Sequence, residues 1–232
     1  ICTPLGKTLL IVGGKTALEK AKPKLEKALQ NSNFTVADTI WYGHDCTYKT
    51  VKTVAQKAKE LKVDFIVGVG GGKALDTSKG AANELGISVV CVPTIASTCA
   101  ATTKLSVMYN EDGTFKDFYF FDKPAFHSFI DTTIIANAPV DYLRAGVGDT
   151  MAKHYECTFA SGNDEVDHPS GIAREISKMC VTPMRAYAQK ALESCNENQS
   201  DYELEQVILG IIVTTGLVSM LIEEKYNGAL AH

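Results

Sequence analysis

Residues 64–80 read Asp-Phe-Ile-Val-Gly-Val-Gly-Gly-Gly-Lys-Ala-Leu-Asp-Thr-Ser-Lys-Gly. Phe65, Ile66 and Val67 form a short apolar run of buried-strand type. Gly68, Gly70, Gly71 and Gly72 follow, and Ala74, Leu75 and Ala81 open a helical pattern. A strand that turns through glycines into a helix presents backbone N–H groups at the positive helix end, where a phosphate or pyrophosphate can be held. Two common glycine motifs do not fit. A dinucleotide fingerprint begun at Gly68 needs glycine at the position of Lys73. A P-loop needs four residues between its glycines and Ser or Thr after the lysine, whereas three separate Gly68 from Gly72 and Ala74 follows Lys73. The turn therefore reads either as a phosphate cradle of another kind or as a tight strand–helix connection without a ligand.

Around this stretch, strand and helix patterns alternate. Residues 8–12 are an apolar strand stopped by Gly13-Gly14. Thr16 with Glu19 three residues on is a capping-box signal for a helix towards Leu29, kinked or restarted at Pro23. Residues 35–42 read as a strand, and 48–61 as an amphipathic helix on Val51, Val54, Ala55, Ala58 and Leu61. After the glycine turn the helix runs to Leu85, and residues 88–92 form a fourth strand stopped by Pro93. This alternation predicts an α/β domain with a doubly wound parallel sheet, whose ligands lie beyond the carboxyl ends of the strands. Residues 105–109 and 115–121 flank Asn110-Glu111-Asp112-Gly113, a hairpin signal, and 126–130 read as a last strand. From Pro139 the character changes: 140–159, 169–192 and 202–224 all read as helices. The expected division is an α/β domain over 1–138 and an all-α domain over 139–232.

Composition narrows the function classes. A formal charge of −4 argues against a general nucleic-acid binder, and the lysines of 15–27 and 49–62 read as solvated helix faces. Seven cysteines without a C-x-x-C pair argue against a zinc ribbon and a disulfide framework, so a reducing, cytoplasmic setting is expected. The apolar run 207–221 is short and is followed by Glu223 and Glu224, so no bilayer-spanning segment is expected.

Three further segments could carry chemistry. Residues 93–103, Pro-Thr-Ile-Ala-Ser-Thr-Cys-Ala-Ala-Thr-Thr, leave a strand end with hydroxyls able to bind phosphate or a carboxamide, though such loops also occur without a ligand. Gly146 and Gly148 inside a predicted helix cost about 1 kcal/mol each against alanine, which implies close approach of something there. Asp149, Lys153 and Glu156 share one face of that helix, either as functional groups or as a surface salt bridge between Asp149 and Lys153. His44, His127, His154 and His168 read as exposed or locally satisfied.

Gly-Gly-Gly-Lys-Ala-Leu-Asp-Thr-Ser-Lys (70–79), Val-Pro-Thr-Ile-Ala-Ser-Thr (92–98), Leu-Ser-Val-Met-Tyr (105–109), Ile-Ile-Ala-Asn-Ala-Pro-Val (134–140) and Ala-Gly-Val-Gly-Asp (145–149) occur in that order. Together they resemble the glycerol dehydrogenase branch of the metal-dependent (iron-type, type III) alcohol dehydrogenases. Asn227-Gly228-Ala229-Leu230-Ala231-His232 resembles a histidine-bearing segment of the same family. The resemblance implies a nicotinamide cofactor, NAD or NADP, and a Zn²⁺ or Fe²⁺ ion held by one aspartate and two histidines. Asp149 matches the aspartate and His232 the first histidine, as catalytic metal ligands. The second histidine, a strand before Gly6 and further helices are expected outside residues 1–232, so the sequence is expected to be part of a longer chain. Gly70, Gly71, Gly72, Lys73 and Asp76 are implied around the pyrophosphate. Thr94, Ser97, Thr98, Thr103, Leu105, Val107 and Tyr109 are implied on the nicotinamide side. The implied reaction moves hydride between the cofactor and a small polyol or alcohol, with the metal as Lewis acid. A small-molecule substrate, a homo-oligomer, and no nucleic-acid or membrane partner are expected.

Two residues depart from that pattern. Cys99 stands where glycerol dehydrogenases carry the aspartate implied to contact the polyol. A related branch with cysteine there resembles hydroxycarboxylate dehydrogenases (2-oxo-acid reductases), for which one fewer negative charge beside the substrate makes electrostatic sense. Gly14 stands where NAD-specific members carry a ribose-binding aspartate, so the 2′-phosphate of NADP would meet no repulsion. Two rivals remain: a lyase resembling dehydroquinate synthase, which needs a basic pocket that the 94–103 loop, without Arg or Lys, does not offer, and a non-catalytic nucleotide-binding relative.

Overall fold

The computed structural model describes residues 1–228. Contacts divide the chain into two compact units: Ile1–Thr94 with Lys104–Asp131, and Ile95–Thr103 with the chain from Thr132 onward.

The first unit is built on a five-stranded sheet of order β2-β1-β3-β4-β7, every pair parallel. Its strands are β1 (Thr8–Gly13), β2 (Thr35–Trp41), β3 (Phe65–Gly70), β4 (Ser88–Pro93) and β7 (His127–Ser128). β3 lies at the centre, with Leu9 facing Phe65 on one side and Phe65 facing Ser88 on the other. All six of its residues are buried, which is why its sequence is a continuous apolar and glycine run rather than an alternation. β7 is shorter than the predicted 126–130, because only His127 and Ser128 pair with β4. The helices are α1 (Lys15–Gln30), α2 (Tyr48–Glu60) and α3 (Gly72–Leu85). Between Tyr109 and Phe115 the chain reverses, so β5 (Leu105–Tyr109) and β6 (Phe115–Phe120) pair antiparallel as the hairpin signal predicts.

The capping box expected at Thr16 does not form. α1 starts directly behind β1 with Gly14 as its N-cap, the Leu18 N–H donating to the Gly14 carbonyl at 2.8 Å, so Thr16 already lies inside the first turn. Pro23 sits within α1, and the helix runs on to Gln30 without restarting. Thr47, by contrast, caps α2 by accepting from the Thr50 N–H at 3.1 Å.

The second unit is helical: α4 (Thr132–Ala136), α5 (Val140–Ser161), α6 (His168–Ile176), α7 (Thr182–Asn196), α8 (Tyr202–Leu209) and α9 (Thr215–Leu221). The unpredicted α4 packs on α7 and α8 with Ile135 and Ala136 buried, and so draws the division back to Asp131, ahead of the boundary expected near Ala138. The single helix predicted over 169–192 is two helices joined by a 3₁₀ turn, Ser177–Cys180, with Pro183 in the first turn of α7. α8 and α9 form one helical run through a π-helical turn at Gly210–Thr214. Because this run begins at Tyr202, its 20 residues are long and apolar enough by length and composition to cross a membrane, unlike the shorter segment considered from sequence. Half of its most apolar window is buried inside the protein, including Leu204, Val207, Ile208, Ile211, Ile212 and Val218.

Gly68 is where α3 comes closest to the central strand. A Cβ there would stand 2.8 Å from the Ser78 Cβ, against the backbone-fixed root of a side chain on α3. Gly68→Ala is therefore expected to destabilise the protein by about 1–3 kcal/mol through overpacking, read as a lower denaturant midpoint. An unchanged midpoint would show that α3 does not depend on that close approach.

Candidate functional site

At the carboxyl edge of the sheet, successive strand ends are tied together. Gly14 N–H donates to the Val69 carbonyl at 3.3 Å, Tyr42 N–H to Gly13 at 3.1 Å, and Thr94 N–H to Gly70 at 3.1 Å. Gly70 has φ +149°, and a Cβ there would stand 2.9 Å from the Ala74 Cβ, so the turn into α3 accepts only glycine. Gly71 is the N-cap of α3 and brings no side chain to its first turn. The backbone at this helix end is thus left open to an anionic group.

Lys73 lies in that first turn. Its ammonium pairs with Asp45 and sits 4.7 Å from the centre of the Tyr109 ring. Asp45 holds the lysine pKa above its usual value, so the positive charge is secure, while burial pushes the Tyr109 phenol up. Leu105, Val107 and Tyr109 share the half-buried face of β5, opposite the buried Ser106 and Met108. Strand alternation thus brings together three residues that the family resemblance implied as a group.

Asp76 is placed differently from its neighbours. It is 4% exposed, and its carboxylate pairs with Lys79 at 2.8 Å and accepts from the Val107 N–H at 3.1 Å. Lys79 in turn donates to the Leu105 carbonyl at 2.5 Å, and Ser106 Oγ to the Asp76 carbonyl at 2.8 Å. Burial pushes the Asp76 carboxyl up, and Lys79 opposes that shift. Asp76 therefore anchors β5 to α3 rather than lining the open turn. The i, i+3 spacing of Asp76 and Lys79 was visible in the sequence, but nothing there marked the pair as interior.

In the helical unit, the hydroxyl-rich loop Ile95–Thr103 is held by two glycines. A Cβ on Gly146 of α5 would stand 2.2 Å from the Ala96 carbonyl oxygen, and one on Gly216 of α9 would stand 2.0 Å from Thr102 Oγ1. The close approach inferred for the α5 glycines thus occurs at Gly146, while a Cβ on Gly148 would meet open space. Thr102 Oγ1 donates to the Ile212 carbonyl at 2.6 Å, within the π-helical turn, where the ordinary helical hydrogen-bond ladder is interrupted. Neither Gly216 nor that turn was singled out from sequence. Within the loop Thr103 is buried, Ser97 and Cys99 are half-buried and Thr98 is exposed. Thr94, also buried, ends β4's exit in the first unit.

Asp149 stands half-buried on α5. The ammonium of Lys153, one turn on, pairs with Glu156 at 3.0 Å; both side chains are buried, so this is an interior pair and not a surface bridge. His154 Nδ1 lies 2.8 Å from Ser177 Oγ, as expected of a locally satisfied histidine. Among the described residues no three His, Cys, Asp or Glu side chains gather as a metal site, and His232 lies outside the described residues. One carboxylate and one imidazole are donors that suit zinc or ferrous iron.

All seven cysteines are free thiols. Burial pushes Cys46 and Cys91 up to about 12 and Cys180 up to about 11. Alkylation of the native protein near pH 8 is therefore expected to modify Cys2 and Cys99 first, with the five buried thiols reacting only on unfolding, as read by peptide mass spectrometry. Rapid labelling of Cys91 in the native state would contradict the packing of β4.

Residues 1–130 match the family described as iron-containing alcohol dehydrogenase. The chain is 28% identical over 217 residues to the glycolaldehyde reductase of Halobacterium salinarum, covering 92% of this chain and 59% of that protein. It is 34% identical over 223 residues to hydroxycarboxylate dehydrogenase A of Escherichia coli, covering 94% and 60%. The crystal structure of glycerol dehydrogenase from Schizosaccharomyces pombe superposes with a TM-score of 0.83 at 25% identity, over 96% of this chain and 56% of that one. The chain thus spans about three fifths of the length of these relatives.

Proposed function

The chain belongs to the iron-containing alcohol dehydrogenase family, and from that premise we propose that the protein is a metal-dependent oxidoreductase. It transfers hydride between NAD or NADP and a small polyol or alcohol. The observation that carries this reading is the glycine turn at the start of α3. It combines an uncapped positive helix end, a secured lysine charge at Lys73 and an adjacent strand face of Leu105, Val107 and Tyr109. Gly70, Gly71, Gly72 and Lys73 bind the pyrophosphate, where backbone N–H groups and one ammonium offset its charge. The family resemblance assigns Leu105, Val107 and Tyr109 of β5 to the nicotinamide side and gives the same role to Thr94, Ser97, Thr98 and Thr103, and Asp76 holds β5 in register. Asp149 and His232 are the metal ligands; a zinc or ferrous ion held by them supplies Lewis acidity towards the substrate hydroxyl.

A second substrate reading rests on Cys99. It puts a half-buried neutral side chain where glycerol dehydrogenases are expected to carry a carboxylate, and a hydroxycarboxylate dehydrogenase is among the relatives at 34% identity. A 2-oxo or 2-hydroxy acid would meet no repulsion from that position. Cofactor choice turns on Gly14, which has no carboxylate to repel a 2′-phosphate. The protein works as a cytoplasmic homo-oligomer on a small molecule, without nucleic-acid or membrane partners.

Titrating NADH and NADPH against glycerol and 2-oxobutyrate, before and after chelation, tests the whole reading. Turnover is expected to vanish on chelation and return with zinc or iron. Asp149→Ala is expected to abolish metal binding and turnover while nucleotide affinity stays within about two-fold, since Asp149 is not among the residues assigned to the nucleotide. Absence of any redox turnover with metal restored would retire the proposal.

A further inference from the structure

The corner where β1 and β2 end carries a cluster of side chains outside the glycine turn. Trp41, the last residue of β2, lies in register with Gly13, and the Tyr42 N–H donates to the Gly13 carbonyl at 3.1 Å. Trp41 is 40% exposed, a large apolar surface to leave in water at the carboxyl edge of a sheet. The ammonium of Lys15, the first residue of α1, sits 4.5 Å from the centre of the Trp41 ring. The His44 imidazole meets the same ring nearly at right angles, with the ring centres 4.7 Å apart. A cation on an indole face keeps a preferred place while its head stays open to solvent. One exposed ring thus gathers an ammonium and an imidazole, both able to donate to an anion.

The space beside this cluster is open. A Cβ on Gly13 would stand 2.4 Å from the Val69 carbonyl oxygen, so packing requires glycine there. Gly14 is under no such constraint. Its φ is −73°, and a Cβ would meet only the Ala17 Cβ at 3.7 Å and the Tyr42 ring at 3.8 Å, ordinary van der Waals distances. Gly14 also borders the glycine turn, for a Cβ on Gly70 would lie 3.7 Å from the Gly14 nitrogen. The strand order β2-β1-β3-β4 puts the switch of direction between β1 and β3, where a nucleotide lies in folds of this kind. In such folds a carboxylate holds the NAD ribose through its 2′-hydroxyl, whereas a basic side chain accommodates the 2′-phosphate of NADP. Here Trp41, Tyr42, Gly43 and His44 follow one another without an acid, and the next residue, Asp45, is paired with Lys73. We propose that Lys15 and His44, gathered on Trp41 beside the open Gly14, recognise the 2′-phosphate, so that the protein prefers NADP to NAD. The inference rests on the reading that the glycine turn binds a nicotinamide dinucleotide.

The test is a fluorescence titration of the intact protein with NADPH and with NADH, using 2′,5′-ADP and 5′-AMP as competitors, so that neither metal nor turnover enters the reading. NADPH is expected to bind about ten-fold more tightly than NADH, and 2′,5′-ADP to compete better than 5′-AMP by a similar factor. Lys15→Met keeps an apolar stem against the indole and removes the charge. It is expected to weaken NADPH about ten-fold and leave NADH within about two-fold, and His44→Ala to act in the same direction by a smaller factor. Gly14→Asp, for which the backbone and the space allow a side chain, is expected to weaken NADPH about 10–100-fold by like-charge repulsion while sparing NADH. Lys15 and His44 are exposed, so the thermal midpoints of their variants are expected to match that of the parent protein. NADH binding as tightly as NADPH, or Lys15→Met weakening both nucleotides alike, overturns the proposal and leaves dinucleotide binding standing. Failure of both nucleotides to bind refutes the dinucleotide reading and this inference with it.

Discussion

The contact on which the first unit depends is the approach of α3 to β3, which exists only where side chains are missing. At Gly68 and Gly70 a Cβ would stand 2.8 and 2.9 Å from the Cβ atoms of Ser78 and Ala74. With those two hydrogens in place of methyl groups, the helix packs onto the central strand and its first turn stays at the sheet edge. Lys73 then rises beside Asp45 and Tyr109, while Asp76 and Lys79, further along, turn inward to β5. A wider strand–helix spacing would break these contacts together, since each spans from α3 to a neighbouring segment.

The helical unit uses the same device for its loop. Gly146 and Gly216 remove the Cβ atoms that would collide with Ala96 and Thr102, and the π-helical turn supplies the carbonyl that receives the Thr102 hydroxyl. Loops dense in Ser and Thr are ordinarily adaptable, because their side chains compete for their own backbone. Here the loop is held both by its own hydrogen bonds, Thr102 donating to the Cys99 carbonyl and Ala100 N–H to Thr98 Oγ1, and by the helices that meet it at Gly146 and Gly216. That explains how it can present Ser97, Thr98 and Cys99 from a fixed base.

Much of this was legible in the sequence, and what was not has physical causes. The buried β3, the amphipathic α2 and the β5–β6 hairpin were readable because periodicity, composition and turn chemistry agree there. Thr16 misled because a capping signal is local, whereas the start of α1 is decided by where β1 ends at Gly13. The short α4 escaped because tertiary packing sets it, whereas the break between α6 and α7 carried a local signal in Pro183, which opens the first turn of α7. At the candidate site, Leu105, Val107 and Tyr109 were grouped by the family resemblance alone, and β5 puts them on one half-buried face. The inward turn of Asp76 did not, because no spacing rule says which face of α3 meets a hairpin from later in the chain. The bond from Lys153 to the Asn227 carbonyl was likewise out of reach, since it joins residues 74 positions apart.

The two interior lysines share a design that clarifies both. Lys79 and Lys153 each pair with a carboxylate three residues away on the same helix, Asp76 and Glu156, and each donates at 2.5 Å to a backbone carbonyl of another segment, Leu105 and Asn227. A buried ion pair gains little over well-packed apolar residues, because desolvating two charges offsets most of their attraction. Stability alone therefore does not account for either. What an ammonium provides and a leucine cannot is a directed bond to one carbonyl, which ties the helix to a segment from elsewhere in the chain. In the first unit the segment so held is β5, a strand outside the main sheet. In the second it is Asn227, at the end of the 3₁₀ turn Glu224–Tyr226. In each case the helix bearing the lysine also bears a group assigned to the chemistry, Lys73 on α3 and Asp149 on α5. In both units the charged interior thus joins a helix to a segment distant in the sequence.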